Sequence, residues 1–342
     1  MNSYGDVLLG AGIVVLAGIL QGLFAVPMKF ARRWNHENIW LIFALTGLVI
    51  FPWLLTSLTV PDFLDVYSAT STRTIVKIAG FGLFWGIGAT FTGIGLNMLG
   101  IGLGLAIILG LSASVGSLVP LLFLHPEKLG TSEGRLYVGG TAVMLAGIAL
   151  VSRAGALRDK RPVSSSSPSG KGSFGLGLLV AVASGLFSSA LNFSYAFGGE
   201  VLTGAARAGV PSVWASNLIA APATTGGFVA NAVYCGYQLF KNSSTVKFRA
   251  PGTRRNWLLG TLMGAFWFGG LAIYGLGVAR MGDFGTVVGW PLLMGAIILA
   301  SNAAGFATGE WRAARAVTIR YLFAGMAVIL FALWILALAQ RT

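Results

Sequence analysis

Ten stretches of this 342-residue chain are apolar over roughly the 20 residues a helix needs to cross a bilayer's hydrocarbon core. They fall at about 7–30, 38–60, 75–99, 103–124, 135–153, 174–198, 211–240, 256–280, 284–306 and 318–339. Charged residues make up only 10% of the chain, against roughly 25% in a soluble domain. So few charges cannot coat a globule of this size, and most of the surface must face lipid. The expected fold is an all-α polytopic membrane protein with ten transmembrane helices. Asp6, with no Lys or Arg before it, precedes the first run, which argues against a cleaved signal peptide and for a retained span.

The net charge of +13 does not indicate nucleic acid, because the cations sit in short segments between apolar runs. Sixteen of the 23 fall on one side: Lys29, Arg32, Arg33, Arg153, Arg158, Lys160, Arg161, Lys171, Lys241, Lys247, Arg249, Arg254, Arg255, Arg312, Arg315 and Arg320. That side is expected to be cytoplasmic and both termini periplasmic. Residues 154–173, "AGALRDKRPVSSSSPSGKGS", read as a cytoplasmic linker between a first five-helix repeat (1–153) and a second (174–342).

The halves resemble each other. "FWGIGATFTGIGLNMLG" (84–100) in span 3 aligns without a gap with "FWFGGLAIYGLGVARMG" (266–282) in span 8. "GLF" at 22–24 recurs at 185–187, and "TSEGR" at 131–135 as "TGEWR" at 308–312. Two copies of five spans must insert with opposite topology, a plan that recurs in secondary transporters.

Several stretches carry a family resemblance. "VPMKFARRWNHENIW" (26–40), "FWGIG" (84–88), "GLGLAIILG" (102–110), "EGRLYVGG" (133–140), "GIALVSRAG" (147–155) and "GEW" (309–311) resemble the L-rhamnose–proton symporter family. That family lies in the drug/metabolite transporter superfamily, with ten helices in two inverted repeats. The resemblance implies a bacterial inner-membrane importer of a neutral monosaccharide, L-rhamnose or a related sugar. The proton would be the coupling ion, with no other cofactor. The site would lie between spans 1, 3 and 4 and their counterparts 6, 8 and 9, with spans 5 and 10 peripheral. "GWPLLM" (289–294) is closer to relatives with another sugar or an unsettled one. A homodimer is compatible with such a fold.

A sugar needs neutral hydrogen-bonding groups and aromatic faces for its C–H surfaces. Trp85 shares a helix face with Thr92, and Trp267 with the repeat-equivalent Tyr274, each pair being seven residues apart. Gln21, from span 1, and Asn192, from span 6, are the preferred amide contacts, and Trp290 before Pro291 is a further one. The bland alternatives are lipid contact for the tryptophans and helix–helix adhesion for the amides. Gly88, Gly95, Gly270 and Gly277 read first as helix-packing positions.

Acidic residues inside the spans are scarce, so proton coupling rests on the resemblance. Glu200, at the end of span 6, is the best-placed acid, with a solvated helix end as its alternative. Glu37 reads as part of a helix start after Asn35, and Asp283 as a partner of Arg280. Lys29 either snorkels to headgroups or gates the path. No Walker A sequence, metal-ligand spacing or catalytic triad is present, so the chain does not read as an enzyme. Two other readings stay open: an exporter of small metabolites or drugs on the same fold, and a membrane sensor that transports nothing.

Overall fold

A computed structural model describes residues 4–99, 101–158, 171–282, 285–309, 311–312 and 314–338. It contains ten helical spans long and apolar enough to cross a membrane: Gly5–Phe30, His36–Thr59, Thr72–Gly95, Ile107–Leu124, Ser132–Arg158, Phe174–Arg207, Ser212–Lys241, Arg254–Met281, Gly285–Ala307 and Ala316–Leu336, here spans 1 to 10. Only helices satisfy their own backbone polar groups in hydrocarbon, which is why uniformly apolar segments take this form. Apolar residues face outward as well as inward, as a lipid-facing surface requires; Leu58 and Phe240 are 70% and 85% exposed.

The linker boundaries differ slightly from expectation. Helix continues to Arg158 and resumes at Lys171. Residues 159–170 lie outside the described residues, as do Asp283 and Glu310.

Proline shapes several spans in a traceable way. Span 1 leaves α-helix after Gly22 and re-forms as a 3-10 turn, Val26–Phe30, around Pro27. Span 2 contains a π-turn, Thr46–Ile50, just before Pro52. A proline within a helix deprives the carbonyl four residues earlier of its donor. Pro222 thereby frees Leu218, whose carbonyl accepts the Tyr67 hydroxyl at 2.9 Å. Pro120 frees Gly116, whose carbonyl accepts Asn192 Nδ2 at 2.7 Å. Span 6 is itself broken into Lys171–Ser188, Ala190–Ala196 and Gly199–Arg207.

The helix contacts come in pairs. Span 1 packs on spans 8 and 9, and span 6 on spans 3 and 4. Span 2 packs on span 8, and span 7 on span 3; spans 5 and 10 pack on each other. The twice-written "GLF" takes part in this. A Cβ on Gly22 would lie 2.7 Å from Ala300 Cβ in span 9, and one on Gly185 would lie 2.7 Å from Leu111 Cβ in span 4. Both positions need glycine for close helix approach.

Candidate functional site

A chamber of about 290 Å³ lies amid the spans, lined mostly by aromatic and aliphatic side chains. Trp85 and Trp267 stand side by side in it, ring centroids 5.0 Å apart and planes 31° apart. Trp85 is seated against Gly227 of span 7, where a Cβ would come within 2.6 Å of its ring. Phe43 packs edge-on to Trp267 at 6.2 Å, and Trp40 and Phe24 extend the aromatic wall.

The polar groups are few and positioned. Gln21 Nε2 donates to the Trp267 carbonyl at 3.2 Å, which fixes the amide against span 8. Trp40 Nε1 donates to Asn231 Oδ1 at 2.9 Å, and Asn231 Nδ2 to the Gly227 carbonyl at 2.9 Å. Ser112 and Ser188 complete the polar lining. Trp290 Nε1 donates to the Ser112 carbonyl at 3.0 Å, its ring occupying the space a side chain on Gly116 would need. Among the described residues, neither Trp85 nor Trp267 donates its indole N–H to the protein, and neither nitrogen is a fully buried, unpartnered atom. A donor held in such a chamber calls for an acceptor from a ligand or water.

Gln21, Trp85, Thr92, Trp267 and Trp290 thus line one chamber. Thr92 is already engaged, bonded to Ser184 Oγ at 2.9 Å and to the Gly88 carbonyl at 3.1 Å. Gly88 and Gly270 are packing positions, against Phe187 and Gln21. Asn192 and Tyr274 do not line the chamber; they stand behind Trp290. The Tyr274 hydroxyl donates to Asn192 Oδ1 at 2.6 Å, while Asn192 Nδ2 donates to the carbonyls of Gly116 and Thr286 at 2.7 and 3.1 Å. Tyr274 also packs edge-on to Trp290 and Tyr195. These contacts join spans 4, 6, 8 and 9 in one layer.

On the far side of that layer lies a second cavity of about 590 Å³, lined by Tyr195, Ser216, Gly275 and Thr286 among others. The Tyr195 hydroxyl and Ser216 Oγ are buried there without a partner among the described residues. Toward the linker end the chamber adjoins a third cavity, of about 400 Å³, that shares Leu109, Met294 and Ile297 with it. Lys29 lines this cavity and donates from Nζ to Thr308 Oγ1 at 2.8 Å, tying span 1 to the end of span 9. Glu200 is remote from the chamber and the third cavity, at the end opposite the linker, where its neighbours Gly199 and Leu202 line the second cavity. Its carboxylate accepts from Ser71 N and Oγ, each at 2.7 Å, and from Thr74 Oγ1, so it caps the start of span 3.

The site departs from expectation in its membership. Spans 2 and 7 contribute Trp40, Phe43 and Asn231, although only spans 1, 3, 4, 6, 8 and 9 were expected. The signal was present in the i, i+3 spacing of Trp40 and Phe43, but aromatics near a span's end also read as interfacial anchors. Glu37 does sit at a helix start, under the Asn35 cap. It is also buried, and one of its oxygens accepts from Asn35, Asn242 and Ser244 at 2.9, 3.0 and 2.6 Å.

Comparison with known proteins decides the family. The family model for the L-rhamnose-proton symport protein (RhaT) matches residues 6–341. The chain belongs to this family. Among its relatives, the L-rhamnose-proton symporter of Cronobacter sakazakii is 29% identical over 328 residues, covering 93% of this chain and 94% of the relative. The protein of the same name from Yersinia pestis strain Pestoides F is 28% identical over 326 residues, 93% of each chain. The chain is therefore a multi-pass membrane protein of a transporter family, not an enzyme.

Proposed function

We propose that this protein imports a neutral monosaccharide, L-rhamnose or a related sugar, together with a proton, by alternating access across a bacterial inner membrane. The observation that carries the reading is the Trp85–Trp267 pair in the chamber wall, with neither indole N–H donating to the protein among the described residues. The faces of such rings suit the C–H surface of a pyranose, and their N–H groups suit its hydroxyls. Gln21, Asn231, Ser112 and Ser188 offer neutral polar atoms around them. Known ligand pockets begin at roughly 300 Å³, so a chamber of about 290 Å³ fits one sugar ring better than a large drug.

Alternating access assigns the layer behind Trp290 the role of a closed gate. In this arrangement the sugar leaves toward the linker end, past Lys29, while Asn192 and Tyr274 seal the other side. Opening that side requires Tyr274 to release Asn192, which would join the chamber to the cavity lined by Tyr195 and Ser216. The paired helix contacts support two inverted repeats, 1–153 and 174–342, rocking about the chamber. The cation distribution supports a cytoplasmic linker and periplasmic termini. Lys29 is assigned to the cytoplasmic gate. Glu200 is assigned to gating as well, through its tie between spans 6 and 3.

The test is uptake of labelled L-rhamnose, L-fucose, D-glucose and D-ribose into proteoliposomes, with and without an inward proton gradient. Gradient-stimulated accumulation of one sugar is expected. Transport of none of them, by protein that is folded and correctly inserted, would remove the sugar-import reading.

A further inference from the structure

A second ligand class is indicated at the linker end, away from the chamber. Between spans 7 and 8 the chain forms a 3-10 turn, Thr245–Arg249, then turns at Gly252, whose φ of +78° suits glycine, and starts span 8 at Arg254. Trp34, Phe248 and Trp257 form a triangle with centroids 5.2 to 5.6 Å apart that holds this loop. Trp34 Nε1 donates to the Lys247 carbonyl at 2.9 Å. Arg33, in the left-handed region at φ +65°, donates to the Pro251 carbonyl at 2.9 Å. The loop is thus rigidly built, and beside it lies a pocket of about 460 Å³ lined by Arg249, Arg254, Arg255 and Trp257, with no acidic residue in its wall.

Among the described residues, none of the three arginines makes an ion pair or a side-chain hydrogen bond. Among the described residues, Glu37, an acid near this end, is taken by Asn35, Asn242 and Ser244 instead. Arg254 and Arg255 also occupy the first turn of a 28-residue helix, where the helix dipole disfavours cations. A local rule broken this way, on a rigid frame, points to a bound anion that relieves it. Immediately deeper on the same helix, Trp257, Leu258 and Leu262 are 45%, 59% and 37% exposed, an apolar track leading from the pocket toward the bilayer interior.

From these features we infer that the pocket is a binding site for the phosphate headgroup of an anionic phospholipid in the linker-side leaflet. The acyl chains lie along Trp257, Leu258 and Leu262. Basic residues near a membrane surface attract anionic lipid with about fivefold in affinity for each Lys or Arg.

Native mass spectrometry of the purified full chain tests this, with equimolar phosphatidylglycerol and phosphatidylcholine added in detergent. The wild-type protein should retain phosphatidylglycerol preferentially. The R249Q/R254Q/R255Q variant should lose that preference, while R312Q/R315Q/R320Q, on the same side, should keep it. Arg249→Gln alone, an exposed change that spares the helix start, should lower the preference about fivefold. Equal retention of the two lipids by wild type would overturn the proposal. So would equal losses in the two triple variants, which would mean diffuse surface charge. A third overturning result is complete displacement of the lipid by millimolar inorganic phosphate, which would mark a free-anion site.

Discussion

Trp85 with Thr92 and Trp267 with Tyr274 occupy equivalent places in spans 3 and 8, yet only their first members do the same thing. The two tryptophans meet in the chamber. Their partners diverge. Thr92 lines the chamber and bonds to Ser184 in the interface between spans 3 and 6, whereas Tyr274 is fully buried and locked onto Asn192 behind it. Under the proposed inverted repeats, two copies of one segment inserted in opposite senses would present the same position to opposite membrane faces. On the proposed mechanism the copy whose partner is sealed would mark the closed side, and the difference between Thr92 and Tyr274 would carry the direction in which the chamber opens.

The largest effect expected is on the shared members. Trp85→Ala or Trp267→Ala removes an aromatic face worth about 2–3 kcal/mol of apolar contact, enough to weaken sugar binding by about 30- to 160-fold. Binding to reconstituted protein, followed by isothermal calorimetry, would show it. If one tryptophan proves dispensable while the other is essential, the two halves do not share the ligand equally. Wild-type affinity in both variants would remove the chamber from the mechanism.

A smaller effect should separate the divergent members. Tyr274→Phe deletes one neutral hydrogen bond, about 1 kcal/mol, and with it the tie to Asn192. A cysteine at Ser188, which lines the chamber behind the layer, in a Cys235→Ala background, should then react about fivefold faster with a membrane-impermeant thiol reagent applied from the side opposite the linker. Thr92→Val should leave that rate unchanged. Equal rates in all three proteins would mean that Asn192 and Tyr274 do not form the gate.

Much of this arrangement is legible in the amino-acid sequence, and the remainder is not for a definable reason. The ten spans follow from hydropathy alone, because hydrocarbon admits little else. Trp85 and Trp267 are marked by repetition and mid-span placement, Gln21 as an amide within a span and Trp290 by the proline that follows it, and all four line one chamber. Whether Asn192 lines that chamber or closes it depends on Gly116, 76 positions away, whose carbonyl is free only because Pro120 follows it by one turn. Pro120 is visible in the sequence, but the residue that answers it is not. Trp40 was hidden differently, since an aromatic one turn into a span is an ordinary membrane anchor until span 7 brings Asn231 against it.

The smallest effect concerns Glu200, the acid that the sequence alone favoured for the proton. The carboxylate accepts three hydrogen bonds from the start of span 3, at the end of the molecule opposite Lys29. A capping group of this kind acts by holding two spans together, so its loss should cost stability and leave the chemistry of coupling intact. Glu200→Gln keeps one acceptor oxygen and should lower the melting temperature by only a few degrees. Sugar uptake should still respond to an inward proton gradient and keep the pH dependence of the wild-type protein. Uptake that no longer responds to the gradient, in a variant that still exchanges sugar across the membrane, would make Glu200 the proton carrier. The far end would then hold the coupling ion as well as the closed gate, and the contrast between the two ends would be one of chemistry and not only of access.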